Sequence, residues 1–186
     1  MLNEQQRRQL LQLARNTIAA VLGGQAPDVK PDEFDDALRK LSGAFVTLTT
    51  HNDELRGCIG SIEPRAPLFQ AVATSAVSAA FRDPRFYPVR PGELEQLKIE
   101  ISVMGPIERV TNIDDIVVGR DGLIISCGRN AGLLLPQVAT DYGWDRDAFL
   151  RQTCVKAGLP TEAWRATDVR IEKFFAEVFG EEELSR

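Results

Sequence analysis

The sequence predicts an α+β fold with a mainly antiparallel sheet, in one domain or two small, closely packed subdomains. Three observations lead there. Segments 43–62 and 116–135 each read as a β-hairpin, two apolar runs around a turn-rich tetrapeptide. Segment 97–104 (LKIEISVM) alternates apolar and polar residues cleanly. Helical and extended segments do not alternate as regular βαβ units, which argues against a parallel sheet. The chain has 186 residues, 44% hydrophobic and 26% charged. That is an ordinary globular mixture, and it excludes disorder, collagen and coiled coil as whole-chain readings. At this length about 70% of the surface can be buried, so a core forms without metal or disulfide staples.

Each element has a local reason. The first helix is predicted over 3–22. Asn3 caps it with Gln6 three positions on, and Leu10, Ala14, Thr17, Ile18 and Val21 fall on one stripe before Gly23-Gly24 ends it. Residues 25–33 read as a loop and 34–41 as a short helix. In the hairpin at 43–62 the turn is Thr50-His51-Asn52-Asp53. Period-2 alternation then puts Leu55, Gly57, Ile59 and Ser61 on one face, with Glu54, Arg56, Cys58 and Ile62 on the other. A turn at 63–67 leads into a helix at 67–82 rich in Ala, Ser and Val, and Asp83-Pro84 stops it. In strand 97–104, Leu97, Ile99, Ile101 and Val103 face the core, while Lys98, Glu100, Ser102 and Met104 face away. The second hairpin turns at Cys127-Gly128-Arg129-Asn130, and Gly119, Gly122, Gly128 and Gly132 are read as turn and hairpin glycines. Pro136 opens a helix and Asp145 caps another at 146–157, closed by Gly158. Residues 169–179 form a last strand with a bulge expected near Lys173, and 181–186 a frayed tail.

Charge and composition narrow the function. Twenty-two Lys+Arg against 27 Asp+Glu give a net charge of -5, which argues against broad nucleic-acid binding but leaves room for a local basic pocket. Three distant cysteines, Cys58, Cys127 and Cys154, form neither a disulfide framework nor a paired-Cys zinc site. The segment MLNEQQRRQL has no signal-peptide core and no apolar run reaches about 18 residues. A reducing cytoplasm and no membrane association are therefore expected. The single histidine, His51, falls in a predicted turn, where it reads as solvated. Phosphate loop, dinucleotide fingerprint, HExxH and GxSxG motifs are absent. No metal site and no cofactor are expected.

One string is distinctive. Leu55-Arg56-Gly57-Cys58-Ile59-Gly60 stands with Asp83-Pro84-Arg85-Phe86, Glu100-Ile101-Ser102, Leu134-Leu135-Pro136-Gln137-Val138 and Cys154-Val155-Lys156-Ala157-Gly158-Leu159. Together they resemble the AMMECR family, whose microbial members are called AmmeMemoRadiSam system protein A, over about residues 10–179. LRGCIG is the hallmark. The resemblance implies one AMMECR-type domain of two subdomains, each a mainly antiparallel sheet with helices, the larger built from both chain ends. It implies two partners, a Memo-like protein and a radical SAM protein. It carries no established reaction.

The candidate residues each have two readings. Cys58 is a thiolate nucleophile or a small packed hydrophobe; a free thiol is only about 3% ionised at pH 7, so the first needs a nearby cation. Arg56 binds an anionic substrate or pairs structurally with Glu100 across neighbouring strands. Glu100 is an acid–base group or a neutralised carboxylate, and Ser102 shares its face. Arg85 is a further anion-binding candidate, with Asp83 fixing it. Gln137 lies where free helix N–H groups can hold an anion. Cys127 and Cys154 read as structural. Cys58 and Glu100 are thus the catalytic candidates, and Arg56, Arg85, Ser102 and Gln137 the substrate-binding ones. The functional expectation is an enzyme component acting on a small or modified substrate in a groove beside the LRGCIG strand. The alternative is a non-catalytic protein-binding or carrier module.

Overall fold

The computed structural model describes residues 1–182. In chain order the elements are α1 (Glu4–Leu22), α2 (Asp36–Arg39), β1 (Ala44–Thr50), β2 (Leu55–Ser61), α3 (Leu68–Phe81), β3 (Leu97–Met104), β4 (Glu108–Arg109), β5 (Asp121–Cys127), β6 (Asn130–Leu134), α4 (Pro136–Asp141), α5 (Arg146–Lys156) and β7 (Arg170–Gly180). The class is α+β with antiparallel pairing, as the alternation patterns predict. Two compact units result: 1–104 with the chain from 177, and 105–176.

In the first unit the strand order is β2-β1-β3, with the end of β7 beside β3. The expected capping box is present: Asn3 accepts from Gln6 N–H at 2.9 Å and Gln6 accepts from Asn3 N–H at 2.8 Å. The stripe of α1 (Leu10, Ala14, Ile18) and the small side chains of α3 (Val72, Ala76) meet Val46, Leu48, Ile99 and Ile101 of the sheet. Each buried Leu or Ile contributes about 1.5–3 kcal/mol, which holds both helices to one sheet face. The opposite face carries Phe45, Thr47, Cys58, Glu100 and Ser102. Glu181, expected in the frayed tail, is instead held. Its carboxylate takes two bonds from Arg15, at 2.7 and 2.6 Å, and one from Ile99 N–H at 3.0 Å. The rest of that tail, 183–186, lies outside the described residues.

In the second unit the order is β4-β7-β5-β6. Its core gathers Leu123, Ile125, Phe149, Leu150, Cys154, Trp164 and Ile171. Two local expectations are corrected. Strand β5 begins at Asp121 rather than 116, because residues 117–121 close a turn. The Asp121 carboxylate accepts Val117 N–H at 2.9 Å, Asp121 N–H returns to Val117 C=O at 2.9 Å, and Gly119 sits at φ +86°. No bulge occurs at Lys173. Its register runs unbroken from Arg170 to Phe175 against β5, with β4 paired on its other edge. Among the described residues no helix is long and apolar enough to cross a membrane.

Candidate functional site

The LRGCIG segment is β2, an edge strand whose only strand neighbour among the described residues is β1. Its hairpin is irregular. Thr49 pairs with Leu55, but Leu48 pairs with Gly57, so Arg56 is an extra residue in a β-bulge. The bulge breaks the alternation expected from sequence. Leu55 is 41% exposed while Gly57 and Ile59 face the helices. Beyond the bulge Thr47 stands opposite Cys58, and on its other side opposite Glu100. Had the register of the turn continued, Cys58 would have met Val46 of the core. The bulge thus turns the sulfur away from the packed face.

A buried carboxylate then fixes that strand from its open side. Asp83 follows the C-terminus of α3, its side chain 1% exposed. It accepts from Cys58 N–H at 2.9 Å, Arg85 N–H at 3.1 Å, Arg85 Nε at 3.0 Å and Arg85 Nη2 at 2.7 Å. Arg85 Nη2 also donates to Cys58 C=O at 3.3 Å. An aspartate and an arginine therefore supply the acceptor and donor that a neighbouring strand would give the Cys58 peptide. The Arg85 hydrogen bonds pull the Asp83 carboxyl far below the usual carboxylate range; burial opposes this, and the Cys58 and Arg85 N–H groups reinforce it. The Arg85 side chain itself is 54% exposed and leans on the Phe86 ring.

Arg56 is corrected in its partner. It pairs with Glu93, through Nε at 2.6 Å and Nη2 at 3.2 Å, and not with Glu100, which stands two strands away beyond β1. Arg90 N–H adds a bond to Glu93 at 3.0 Å. Burial works against the Glu93 charge, but Arg56 and this N–H outweigh it and hold its carboxyl below the usual range. Arg56 Nη1 is buried with no hydrogen-bond partner among the described residues.

The sulfur of Cys58 is half-buried and accepts from Thr47 Oγ1 at 3.3 Å. Glu100 is exposed at the far end of the same row, about 10 Å from Cys58 by two strand spacings. That is too far for direct proton exchange, which needs roughly 3 Å. Ser102 lies in the adjacent row, opposite Phe45, and is only 5% exposed. Gln137 belongs to α4 of the second unit, its Oε1 buried without a partner among the described residues. His51 is exposed in its turn. Cys154 is fully buried in the second core. Burial, then the Asp168 carboxylate, pushes the Cys127 thiol up. Thr47 and Glu93 are the participants that sequence reasoning missed. A hairpin register that allowed for the bulge would have found Thr47; Glu93 has no local signal.

On the helix side of β2 there is also a hollow of about 300 Å³, lined by Ile59, Gly60, Ser61, Ala71, Thr74 and Ser78 among others. Cys58, Arg56 and Glu100 do not line it. Among the described residues no cluster of His, Cys, Asp and Glu has a metal-binding arrangement.

Comparison with known proteins places this geometry. A protein of Methanothermobacter thermautotrophicus is 42% identical over 187 residues, 97% of each chain. Protein TK0174 of Thermococcus kodakarensis is 43% identical over 182 residues, 93% of this chain and 89% of that one. The crystal structure of uncharacterized protein PH0010 from Pyrococcus horikoshii matches with a TM-score of 0.88 at 40% identity, over 97% of this chain and 94% of that one. The AMMECR1 family model matches residues 11–179, and the chain belongs to the AMMECR1 family.

Proposed function

We propose that the chain is a thiol-bearing enzyme component that acts on a small anionic substrate held beside the LRGCIG strand. The observation behind this is the treatment of Cys58. A packing cysteine needs little beyond burial; Cys154 is enclosed in the second core, with one backbone hydrogen bond from Trp164. Cys58 instead has both groups of its peptide clamped by Asp83 and Arg85, a hydroxyl donor on its sulfur, and partial access to solvent. Cys58 is the nucleophile. Arg85, with a half-exposed guanidinium, attracts the anion. Arg56 Nη1 donates to a substrate oxygen, which removes the cost of about 1–3 kcal/mol that an unsatisfied buried donor carries. Glu100 acts on a substrate that lies across β1 rather than on the sulfur itself, and Ser102 lies in the next row.

The family resemblance supports the rest of the reading. The chain works with a Memo-like protein and a radical SAM protein, in a reducing cytoplasm where its three unpaired cysteines stay thiols. A second reading, a non-catalytic binding module, draws on one observation: the hollow on the helix side does not include Cys58.

Alkylation with iodoacetamide at pH 7, followed residue by residue, separates the two. The thiol reading expects Cys58 to react about tenfold or more faster than Cys127, whose thiol burial and Asp168 hold in the neutral form. It also expects inorganic phosphate to slow Cys58 and an R85A variant to lose that protection. A Cys58 no faster than Cys127 leaves the binding-module reading standing.

A further inference from the structure

The first unit carries a further recess, between α1 and the segment that follows it. After Gly23 the chain reverses: Gln25 N–H returns to Ala20 C=O at 2.8 Å. Two side chains of α1 then pin the returning segment. Gln9 Nε2 donates to Glu33 C=O and Gln6 Nε2 to Asp35 Oδ2, each at 2.7 Å. Between the helix and this segment lies a cleft of about 430 Å³, within the range of small-molecule sites. Cys58, Arg56 and Arg85 do not line it.

One wall is a column of carboxamides. Gln9, Gln12 and Asn16 follow one another at helical spacing, and Gln12 Nε2 donates to Asn16 Oδ1 at 2.7 Å. These bonds fix the side chains and leave Gln9 Oε1 and Gln12 Oε1 as acceptors and Asn16 Nδ2 as a donor. The floor holds a polar group that the fold does not use. Thr17 lines the cleft and is only 3% exposed. The other buried helical threonine, Thr153, returns its hydroxyl to Phe149 C=O at 2.7 Å. The Thr17 hydroxyl makes no such bond and has no other hydrogen-bond partner among the described residues. Leu13, Ala20 and Pro27 supply apolar surface, while the Phe34 ring is stacked on Phe69. Among the described residues no lysine or arginine lines the cleft. Asp28 is met by Lys30 at 3.3 Å, and Glu33 adds a carboxylate.

We infer that this cleft binds a neutral polyhydroxylated molecule of the size of a mono- or disaccharide. Each hydroxyl of such a ligand both donates and accepts, as the lining requires. It gives a proton to Gln9 Oε1, Gln12 Oε1 or Glu33, and takes one from Asn16 Nδ2 or Thr17 Oγ1. Its C–H surface lies on Leu13, Ala20 and Pro27. An anion meets carboxylates and no cation, so it is repelled. A simple ammonium ion has only donors and leaves Asn16 Nδ2 unmet. The inference goes beyond the thiol reading and does not depend on it.

The test is a ¹⁵N-correlation titration of the full chain with maltose, trehalose and myo-inositol. Each is taken to about 50 mM, since an open cleft with few hydrogen bonds binds in about the millimolar range. At least one is expected to move the Thr17 amide and the Asn16 side-chain amide saturably, while inorganic phosphate and ethylammonium leave them in place. A Q12A/N16A variant, changed only at exposed positions, is expected to bind about tenfold or more weakly. T17V keeps the shape and removes the hydroxyl, so binding is expected to weaken about threefold or more. Its thermal midpoint without sugar is expected to be unchanged or raised, because the hydroxyl bonds nothing in the free protein. No saturable shift with any of the three, shifts from ethylammonium alone, or sugar binding that survives Q12A/N16A in folded protein would each overturn the inference. So would a T17V protein that is destabilised yet binds as well as wild type.

Discussion

The two hairpins of this protein are built alike and end up doing different things. Each carries a cysteine, Cys58 on β2 and Cys127 on β5, and each presses a strand glycine against a helix backbone. A Cβ on Gly57 would come within 2.2 Å of Ala79 O, and one on Gly132 within 2.3 Å of Ala157 N. The register of β5 with β6 is regular from Leu123 to Cys127, whereas β1 with β2 shifts at Arg56. The regular hairpin leaves Cys127 with one long contact, 3.5 Å to Asp168. The irregular one turns Cys58 off the core, frees Arg56 for Glu93 and leaves an edge for Asp83 to clamp. A site arises here from one extra residue and one buried carboxylate, on a scaffold the other hairpin shares.

The largest expected effect tests what the hairpins share. G57V and G132V each force a β-branched side chain onto helix backbone that cannot yield cheaply. Each should cost about 3 kcal/mol. Hydrogen exchange should localise the loss to 44–81 for the first variant and to 123–157 for the second. Equal losses spread over both units would break the parallel.

Next is the carboxylate that sets them apart. D83A leaves Cys58 N–H and the Arg85 guanidinium without their acceptor, at about 1–3 kcal/mol, seen as faster exchange of the β2 amides. D168A, at the weak Cys127 contact, should stay within about 0.5 kcal/mol. The Asp83 carboxyl is depressed in the folded state, so its contribution is complete above the ordinary aspartate value of 3.8 and is lost as pH falls below it. Wild type should lose stability on that acid limb, and D83N should flatten it. An unchanged acid limb in D83N would remove Asp83 from the clamp.

Much of this was legible in the residues. The capping box of α1, the strand at 97–104 and the α+β class follow from caps and periodicity, which are local signals. Asp83 after α3 and Arg85 beside it could be read as a turn pair. The bulge could not. Leu55 and Gly57 have the spacing of one strand face, and nothing in LRGCIG says that Arg56 is the residue left over. The Arg56–Glu93 pair was equally hidden. It spans 37 residues and depends on where the loop after α3 returns, which tertiary packing decides. Asp121 shows the opposite error: a run of apolar residues from Ile116 suggested strand, and a carboxylate accepting Val117 N–H made it a turn.

The smallest expected effect is the most specific to Cys58. T47V keeps the β-branched shape that β1 wants and removes only the hydroxyl that donates to the sulfur. A hydroxyl-to-sulfur bond is weak, so the stability change should stay below about 1 kcal/mol. If that hydroxyl steadies a negative sulfur, alkylation of Cys58 should slow by about two- to tenfold, the equivalent of one such bond. Cys127, in the other unit and without this donor, should react at its wild-type rate. If T47V leaves both rates alone, the Thr47 contact is packing, and the two cysteines differ through Asp168 beside one and the Asp83–Arg85 clamp on the other. If Cys58 alone slows, the row Cys58–Thr47 is functional, and it exists because the bulge at Arg56 moved the register by one residue.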